Sequence, residues 1–347
     1  MIRASVIGAS GYVGQELIRL LIKHPEVTID TITSPSQVGE AYHKLYGNYC
    51  DIFQDKFQTQ DIKRIAATSD VVFLALPHGV TSGLVDEEIL KKVKVIDMGA
   101  DYRLNDVNIY EQWYGVKHES PQLMEESVYG LCELHRKKVA SARLVANPGC
   151  YTTCSILSLA PLLTMKEFDS DGIVIDAKSG VTGAGRGVSL GTHYNETNEN
   201  IKAYKIAGHR HTPEIEQELS LVGEKPIQVL FTPHLIPMNR GILATCYVPM
   251  NSKTDEGEIR KRYQAFYKDE PFVRVLQADQ MPETRWVKGS NYCDINVKVD
   301  ERTNRLIVVG AIDNLMKGAA SQGIQNMNVL FGLNEETGIS DPPIFPV

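Results

Sequence analysis

Ala4-Ser5-Val6-Ile7-Gly8-Ala9-Ser10-Gly11-Tyr12-Val13-Gly14 is the stretch of sequence that most strongly predicts the fold of the first part of the chain. A short strand, Ala4–Ile7, leads into a glycine turn, and a helical pattern of apolar residues follows over Val13–Lys23. Ala9 and Ser10 depart from the stricter GxGxxG spacing, but strand, turn and helix stand in the right order. A glycine turn without a ligand is the alternative. The context favours a nucleotide phosphate site at the start of the helix, with contacts predicted from Gly8, Ser10, Gly11, Tyr12 and Val13.

Strands and amphipathic helices alternate through the first part of the chain. The other predicted strands there are Thr28–Thr33, Val71–Leu76 and Lys94–Asp97. This order is typical of a parallel sheet covered by helices on both faces, with ligands bound beyond the carboxyl ends of the strands. The first domain is therefore predicted to be a Rossmann-type α/β domain.

From Asp171 onward the strands are longer and rich in β-branched residues. The predicted strands are Gly172–Ala177, Ile227–Thr232, Gly241–Val248, Asp294–Val299 and Arg305–Val309, with helices near Pro213–Val222 and Glu256–Tyr267. These patterns predict an antiparallel α+β domain. A helix over Asn314–Phe331 is expected to return to the first domain. The predicted division is a nucleotide domain of residues 1–149 and 314–347 and a second domain of residues 150–313.

Composition excludes several classes of partner. The 347 residues carry a formal net charge of -7 with no long run of like charge, so the chain has no basic footprint for nucleic acid. No apolar stretch reaches membrane-spanning length, and no signal peptide opens the chain. The six cysteines show no dense spacing, so reduced thiols are expected. We expect a cytoplasmic protein whose partners are small molecules.

The end of the second predicted strand indicates which dinucleotide binds. NAD enzymes often place an acidic residue there for the ribose 2′-hydroxyl, whereas this strand ends at Thr33-Ser34-Pro35-Ser36 and Asp30 lies inside it. Hydroxyls accommodate a 2′-phosphate that a carboxylate would repel, so NADP(H) is predicted, with Ser34 and Ser36 in contact. The alternative is that both serines only shape a proline turn.

Cys150 lies where a thiol can be activated. It follows Pro148-Gly149, and a helix is predicted to start at or just after it, so the helix dipole favours the nucleophilic thiolate. The alternative, a buried apolar cysteine, suits Cys132, Cys246 and Cys293 better. Cys154, one turn later, could pair with the histidines at 209 and 211 around a metal, but that spacing matches no common zinc site, and no metal is predicted.

The segment His209-Arg210-His211 precedes a predicted helix, with Thr212 as its N-cap and Pro213 at its first position. A histidine there can accept the thiol proton, protonate a reacting oxygen or bind phosphate. Glu214 is close enough in sequence to orient one ring. The alternative for each residue is capping or ordinary surface polarity.

Seven segments together resemble one family nearly end to end. They are 8–14, 100–104 (Ala-Asp-Tyr-Arg-Leu), 129–134 (Tyr-Gly-Leu-Cys-Glu-Leu), 147–151 (Asn-Pro-Gly-Cys-Tyr), 179–185 (Ser-Gly-Val-Thr-Gly-Ala-Gly), 208–214 (Gly-His-Arg-His-Thr-Pro-Glu) and 314–318 (Asn-Leu-Met-Lys-Gly). In this order they resemble the N-acetyl-gamma-glutamyl-phosphate reductases. Segments 8–14 and 314–318 are shared with aspartate-semialdehyde dehydrogenases. Cys154 departs from the small residue expected at its position, which bears on local packing.

The resemblance implies a semialdehyde-dehydrogenase fold, whose second domain is catalytic and dimerising, and a reaction of arginine biosynthesis. Cys150 would attack the acyl carbon of N-acetyl-L-glutamyl 5-phosphate, expel inorganic phosphate and form a thioester that NADPH reduces to the semialdehyde. His211 is the implied acid/base and Glu214 its support. Implied substrate contacts are Arg103, Asn147, Ser179, Gly180 and His209, and implied cofactor contacts are Asn314 and Lys317. A homodimer or homotetramer is implied.

Two alternatives stay open at this stage. A reductase of N-acetyl-aminoadipyl or aspartyl phosphate differs in side-chain length, and one methylene changes binding by only about 1–3 kcal/mol. The His209–Glu214 segment argues against the aspartyl enzyme. An NADP(H)-sensing protein without chemistry is the other alternative, and it would have no need of an activated thiol beside a histidine.

Overall fold

The structure, a computed structural model, describes residues 1–346 and divides into two compact units. The first unit contains Met1–Pro148 and Ala319–Ser340, and the second contains Gly149–Gly318 and residues 341–346. The predicted division grouped Gly149, residues 314–318 and those from 341 onward with the nucleotide domain, whereas the structure places Gly149, residues 314–318 and residues 341–346 in the second unit.

The first unit is a parallel sheet with helices. Its strands are β1 (Ile2–Ile7), β2 (Val27–Thr33), β3 (Val71–Leu74), β4 (Lys94–Asp97), β5 (Val128–Tyr129) and β6 (Leu144–Ala146). Its first six helices are α1 (Tyr12–Lys23), α2 (Tyr42–Leu45), α3 (Ile62–Thr68), α4 (Glu87–Leu90), α5 (Val107–Tyr114) and α6 (Cys132–Ser141), with 3-10 turns at Gly47–Tyr49, Thr81–Gly83 and Pro121–Leu123. The strand order is β2-β1-β3-β4-β6-β5, and all neighbours are parallel. The carboxyl ends of these strands therefore share one edge of the sheet.

The glycine turn between β1 and α1 depends on close backbone contacts. Gly8 has a φ of +87°, and a Cβ there would lie 2.2 Å from the Ala75 carbonyl oxygen. A Cβ on Gly14 would lie 2.4 Å from the Gly8 carbonyl oxygen. Only glycine permits both the left-handed backbone of the turn and this helix packing.

The second unit is built on a seven-stranded sheet. Its strands are β7 (Ile173–Ser179), β8 (Lys202–Ala203), β9 (Val229–Leu235), β10 (Ile242–Pro249), β11 (Val273–Val275), β12 (Cys293–Asp300) and β13 (Arg305–Ile312). Its helices are α7 (Cys150–Leu159), α8 (Tyr194–Thr197), α9 (Thr212–Gly223) and α10 (Glu256–Phe266), with 3-10 turns at Ala160–Thr164, Val181–Ala184, Leu190–Thr192 and Thr284–Trp286.

This sheet has the order β11-β12-β13-β10-β7-β9-β8 and is mixed. The prediction of an antiparallel domain is wrong for two pairs, β7 with β9 and β11 with β12, which run parallel. The β7 to β9 connection contains helix α9, and a helical crossover returns the chain in the same direction. Strands β7 and β10 alternate buried and half-buried side chains.

Helix α7 packs against β7, β10, β12 and β13. It covers the sheet face that carries buried residues such as Ala177, Ala244 and Val308. On the other face, the side chains of β7 and β10 are half-buried, and Val174, Tyr247 and Ile307 lie side by side on three neighbouring strands. The second unit therefore presents a partly apolar sheet face.

The last helix begins later than predicted. Helix α11 (Ala320–Leu330) lies in the first unit, whereas residues 314–318 form a turn in the second. The buried Asp313 carboxylate accepts hydrogen bonds from the Leu315 and Met316 amides, and the Gly318 amide bonds the Asp313 carbonyl. These bonds close a turn instead of a helix. Among the helices of residues 1–346, none is long and apolar enough to cross a membrane.

Candidate functional site

Cys150 is the first residue of α7, as the sequence predicts. Its N-cap is Gly149, which has no side chain of its own to cap the helix. Cys150 is half-buried, whereas every residue from Tyr151 to Leu159 is buried. A Cβ on Gly318 would lie 2.8 Å from the Cys150 Cβ, so this glycine lets the 313–318 turn pack against the cysteine. The thiol is thus accessible at the positive end of a buried helix, which favours a thiolate.

Glu214 joins the start of α9 to the start of α7. One of its carboxylate oxygens, Oε1, accepts hydrogen bonds from the Gly149 amide (2.9 Å) and from the Thr152 hydroxyl (2.8 Å). The carboxylate is 1% exposed. This side chain at the N-terminus of α7 satisfies the Gly149 amide and fixes the residue before the cysteine. The sequence predicted Glu214 as a support of His211; the structure gives it a direct bond to the nucleophile's helix.

The two histidines of the 209–211 segment have different environments. The His211 amide donates to Nδ1 of His209 (3.1 Å), which assigns the His209 proton to Nε2. His209 is 7% exposed, and burial together with the nearby His211 lowers the pKa of His209 to about 2. His209 therefore stays neutral at working pH, and the half-buried His211 is the better candidate for proton transfer.

The predicted N-cap of α9 is wrong by one residue. His211 is the N-cap, Thr212 is the first helical residue and Pro213 the second. The Thr212 amide bonds the His209 carbonyl, and the Ile215 amide bonds the His211 carbonyl, so the helix starts one residue before the predicted position. The His211 ring is therefore carried directly on the helix terminus.

An aromatic cluster around the histidines escaped the sequence analysis. Tyr151, Tyr204 and Phe231 surround the His209 ring at centroid distances of 5.6, 5.5 and 5.3 Å. The Tyr151 hydroxyl donates to the His234 carbonyl, and burial raises the pKa of Tyr151 well above its usual value. Only Tyr151 had a sequence signal, its position next to Cys150; the other rings come from segments distant along the chain. Together they hold His209 and, through it, His211.

The 179–184 loop is tied to the turn before β10. Ser179 is buried and its hydroxyl donates to the Gly180 carbonyl, while a Cβ on Gly180 would lie 2.5 Å from the Asn239 carbonyl oxygen. The Asn314 side chain accepts from the Gly241 amide and donates to the Thr182 hydroxyl. These contacts order the loop. Substrate contacts by Ser179 and Gly180 and a cofactor contact by Asn314 stay predictions.

Lys317 has an environment that the sequence did not indicate. Its side chain is fully buried in the second unit, and its ammonium lies 5.7 Å from the centre of the Phe272 ring. A buried ammonium above an aromatic face is a cation–π contact. This arrangement favours a role in fixing the 313–318 turn, and the predicted cofactor contact of Lys317 stays a prediction.

In the first unit, the predicted nucleotide turn fits a dinucleotide. The N-cap of α1 is Gly11, no side chain caps this helix, and a Cβ on Gly11 would meet only the Gly8 carbonyl oxygen at 3.7 Å. The room beside Gly11 thus lets a pyrophosphate approach the start of α1 closely. At the adjacent ends of β1 and β2, the hydroxyls of Ser10 and Ser34 are 2.7 Å apart, with Ser36 3.4 Å from Ser34.

Asp30 does not compete with this hydroxyl cluster. Its Oδ2 accepts hydrogen bonds from the hydroxyls of Thr31, Thr68 and Ser69. The carboxylate is therefore occupied within the first unit. The three serines supply neutral donors where a 2′-phosphate would bind, which supports the NADP(H) preference.

Arg103 and Asn147, the predicted phosphate or substrate ligands, are buried in the first unit. The Arg103 guanidinium donates to the carbonyls of Asn147 (2.7 Å) and Met98 (3.1 Å). The Asn147 side chain donates to the Ala319 carbonyl and accepts from Asn326. Both residues thus bond the protein itself, and their predicted substrate contacts stay predictions.

The four fully buried cysteines are structural. Cys154 is fully buried, burial raises the pKa of its thiol, and Gly310 leaves room for it, since a Cβ there would lie 3.2 Å from Cys154 Sγ. Cys132, Cys246 and Cys293 are also buried. Within residues 1–346, no group of three or more His, Cys, Asp or Glu side chains is placed to hold a metal ion.

Two family models cover most of the chain. Residues 3–142 match the semialdehyde dehydrogenase NAD binding domain, and residues 150–314 match the semialdehyde dehydrogenase dimerisation domain. The N-acetyl-gamma-glutamyl-phosphate reductase of Lachnoclostridium phytofermentans is 49% identical to this chain over 100% of both proteins. The reductase of the same name from Pelotomaculum thermopropionicum is 48% identical over 99% of both proteins. A Campylobacter jejuni reductase of the same name is 48% identical over 97% of this chain and 98% of its own.

Solved structures with the same fold are more distant in sequence. Aspartate semialdehyde dehydrogenase II of Vibrio cholerae, complexed with ASA, has a TM-score of 0.70 at 16% identity, covering 96% of this chain and 98% of its own. Aspartate semialdehyde dehydrogenase of Candida albicans, with NADP, has a TM-score of 0.66 at 19% identity, covering 95% and 99%. These structures confirm the predicted fold class.

Replacing Glu214 tests its link to the nucleophile's helix. Glu214→Ala leaves the Gly149 amide and the Thr152 hydroxyl without this acceptor, so we expect a loss of roughly 1–3 kcal/mol in unfolding free energy. We also expect a changed rate of Cys150 alkylation by iodoacetamide, measured by peptide mass spectrometry. Glu214→Gln retains the oxygen acceptor and should change both quantities less.

Glu216→Ala is the matched control for that test. Glu216 lies on the same helix and accepts a hydrogen bond from the Val229 amide, away from Cys150. It should lower stability and leave the alkylation rate unchanged. Equal changes in the alkylation rate for Glu214→Ala and Glu216→Ala would contradict the role assigned to Glu214.

Proposed function

Because the chain belongs to the family of N-acetyl-gamma-glutamyl-phosphate reductases, we propose that Cys150 is the nucleophile of its reaction. That reaction is the NADPH-dependent reduction of N-acetyl-L-glutamyl 5-phosphate to N-acetyl-L-glutamate 5-semialdehyde, a step of arginine biosynthesis. The observation that carries the proposal is a half-buried thiol on the first residue of α7, whose start Glu214 ties to the histidine segment.

The first half of the reaction forms a thioester. The Cys150 thiolate attacks the acyl carbon, the C–O bond to phosphate breaks, and inorganic phosphate leaves with the bonding electrons. The amide donors at the start of α7 favour the anionic sulfur before attack. His211 is proposed to accept the thiol proton, since the neutral His209 has its Nδ1 occupied by the His211 amide.

The second half reduces the thioester. NADPH supplies the hydride when it is bound. Gly8, Gly11 and the hydroxyls of Ser10, Ser34 and Ser36 are proposed to hold the phosphates of NADPH. His211 is proposed to donate a proton to the oxygen of the resulting hemithioacetal and to take it back as the C–S bond breaks. The aldehyde leaves, and the Cys150 thiolate and the protonated His211 are regenerated. One NADPH is consumed for each acyl phosphate, and the one proton consumed overall is the proton that the departing phosphate takes up.

Substrate length is the point at which the alternatives differ. The relatives that match over the full chain at 48–49% identity bear the N-acetyl-gamma-glutamyl name, whereas the aspartate enzymes match at 16–19%. This difference supports the longer, N-acetylated acyl chain over aspartyl phosphate. The accessible thiol at the start of α7 also gives no support to a cofactor sensor without chemistry.

We further propose that the uncovered sheet face of the second unit binds a second copy of the chain. Val174, Tyr247 and Ile307 form a half-buried apolar row across β7, β10 and β13. Nearby in sequence, the 186–206 segment exposes large apolar side chains, which are Val188, Leu190, Tyr194, Ile201 and Ile206. The match of residues 150–314 to a dimerisation domain supports this surface as the contact between copies.

The nucleophile is tested in the reverse direction. Purified protein should reduce NADP+ when given N-acetylglutamate semialdehyde and phosphate or arsenate, and Cys150→Ser should abolish this because serine forms no thiolate. The measurement is absorbance at 340 nm, with aspartate semialdehyde and N-acetyl-aminoadipate semialdehyde as competing substrates compared by kcat/KM. Cys154→Ser is the control, one turn away and fully buried. A Cys150→Ser variant with most of the wild-type rate would refute the thioester.

The histidines are separated by their pH dependence. His211→Asn should lower kcat by about 10²–10⁴-fold while the Kd for NADPH stays nearly unchanged. Because the pKa of His209 is about 2, that ring is uncharged throughout the assay range and contributes no limb to the pH–rate profile. Any limb between pH 5 and 8 should therefore persist, at reduced rate, in His209→Asn and disappear in His211→Asn. The reverse pattern would assign the acid/base role to His209.

The proposed contact between copies is tested by a charge on the sheet face. Ile307→Lys should lower the molar mass measured by multi-angle light scattering, because a lysine cannot be buried against a second copy without a partner. Leu221→Lys is the control, since Leu221 is exposed on α9. An unchanged mass for folded Ile307→Lys would place the contact elsewhere.

A further inference from the structure

We propose that Asn326, a residue of α11, is a positioning residue for the nucleophile, acting through Asn147 three residues before Cys150. The inference rests on the proposed function of Cys150. Asn326 belongs to the first unit, and the proposed role requires no contact between Asn326 and the substrate or the thiol. Its role is to hold the strand end from which the chain continues to Cys150.

Four hydrogen bonds fix Asn147. Its amide donates to the Asp97 carbonyl (2.8 Å), and its carbonyl accepts from Arg103 Nε (2.7 Å). Its side chain donates to the Ala319 carbonyl (3.0 Å) and accepts from Asn326 Nδ2 (3.0 Å). Backbone and side chain are therefore both held, and α11 supplies one of the side-chain contacts while the residue just before α11 supplies the other.

The constraint on Asn147 is transmitted along the chain to Cys150. Pro148 has a fixed φ and restricts the residue before it to an extended backbone, so residues 147 and 148 have little freedom. The next amide, of Gly149, is bound by Glu214. Every residue between the end of β6 and Cys150 is thus held by a hydrogen bond or a ring.

Asn326 is itself held in one orientation. Its Oδ1 accepts from the Cys132 thiol (3.0 Å), which leaves Nδ2 directed at Asn147. A Cβ on Gly130 would lie 2.4 Å from this Nδ2, so the glycine makes the space that the amide occupies. Asn326 is fully buried, and a buried amide costs free energy unless it is hydrogen-bonded. A leucine would fill the same volume without that cost, which indicates that the amide serves the contact and not packing alone.

The test compares two asparagines of α11. Asn326→Leu removes the bond to Asn147. Asn328 is an equally buried residue, and Asn328→Leu removes its bonds to the carbonyls of Glu335 and Thr337 and its contact with the His24 ring. Both should lower the unfolding temperature and leave the Kd for NADPH close to wild type. Only Asn326→Leu should slow Cys150 alkylation and lower kcat, by about tenfold. The exposed Cys50 is the internal reference for alkylation.

A double-variant cycle then tests the route. If Asn326 acts through Asn147, Asn147→Ala combined with Asn326→Leu should lower kcat no further than Asn147→Ala alone. Asn326→Ala, which carries no side-chain donor, replaces Asn326→Leu if the leucine variant does not fold. Equal slowing of Cys150 alkylation by the Asn326 and Asn328 variants, or wild-type alkylation in Asn326→Leu, would overturn the inference.

The two proposals fail in different ways. Cys150 alkylation requires no substrate, so a slowed alkylation in Asn326→Leu supports the positioning role whatever the acyl chain is. Absence of reductase activity in the wild-type protein would refute the proposed function and leave that alkylation result intact.

Discussion

The buried carboxylate of Glu214 is the contact on which the second unit's site depends. It binds the Gly149 amide and the Thr152 hydroxyl, and it sits three residues after His211. One side chain therefore sets the spacing between the helix that carries the thiol and the helix start that carries the proposed acid/base. Glu214 is 1% exposed, and burying its carboxylate costs free energy. The hydrogen bonds from the Gly149 amide and the Thr152 hydroxyl offset this cost. Both helix starts are thereby fixed by the same contact.

The histidine segment shows how burial assigns roles to identical side chains. His209 and His211 are two residues apart, and their ring centroids are separated by 4.8 Å. His209 lies among Tyr151, Tyr204 and Phe231, where a charged imidazolium would be desolvated, so it remains neutral and accepts a backbone hydrogen bond. His211 is half-buried at the helix terminus and is the proposed acid/base. The aromatic shell thus makes one ring a support for the other.

Local patterns predicted what local physics decides. The glycine turn, the strand ends and the start of α7 at Cys150 follow from residue spacing. In the structure, most ends of the predicted strands lie within one or two residues of their predicted positions. Features that depend on contacts between distant segments could not be predicted from local patterns. The parallel pairing of β7 with β9 and the 313–318 turn depend on contacts between distant segments, such as Asp313 with Gly289. The same holds for the Tyr204 and Phe231 rings around His209.

Arg103 and Asn147 show most clearly where sequence reasoning stops. A guanidinium and an amide close to a nucleophile in sequence suit phosphate recognition, and residue type alone supports that interpretation. In the structure the same donors bond the carbonyls of Asn147, Met98 and Ala319. A donor bound to backbone in a buried site holds the chain in place, and geometry of this kind has to be accurate because small displacements of a nucleophile slow its attack strongly. Residues that hold the approach to Cys150 can therefore matter for catalysis as much as residues that touch the substrate.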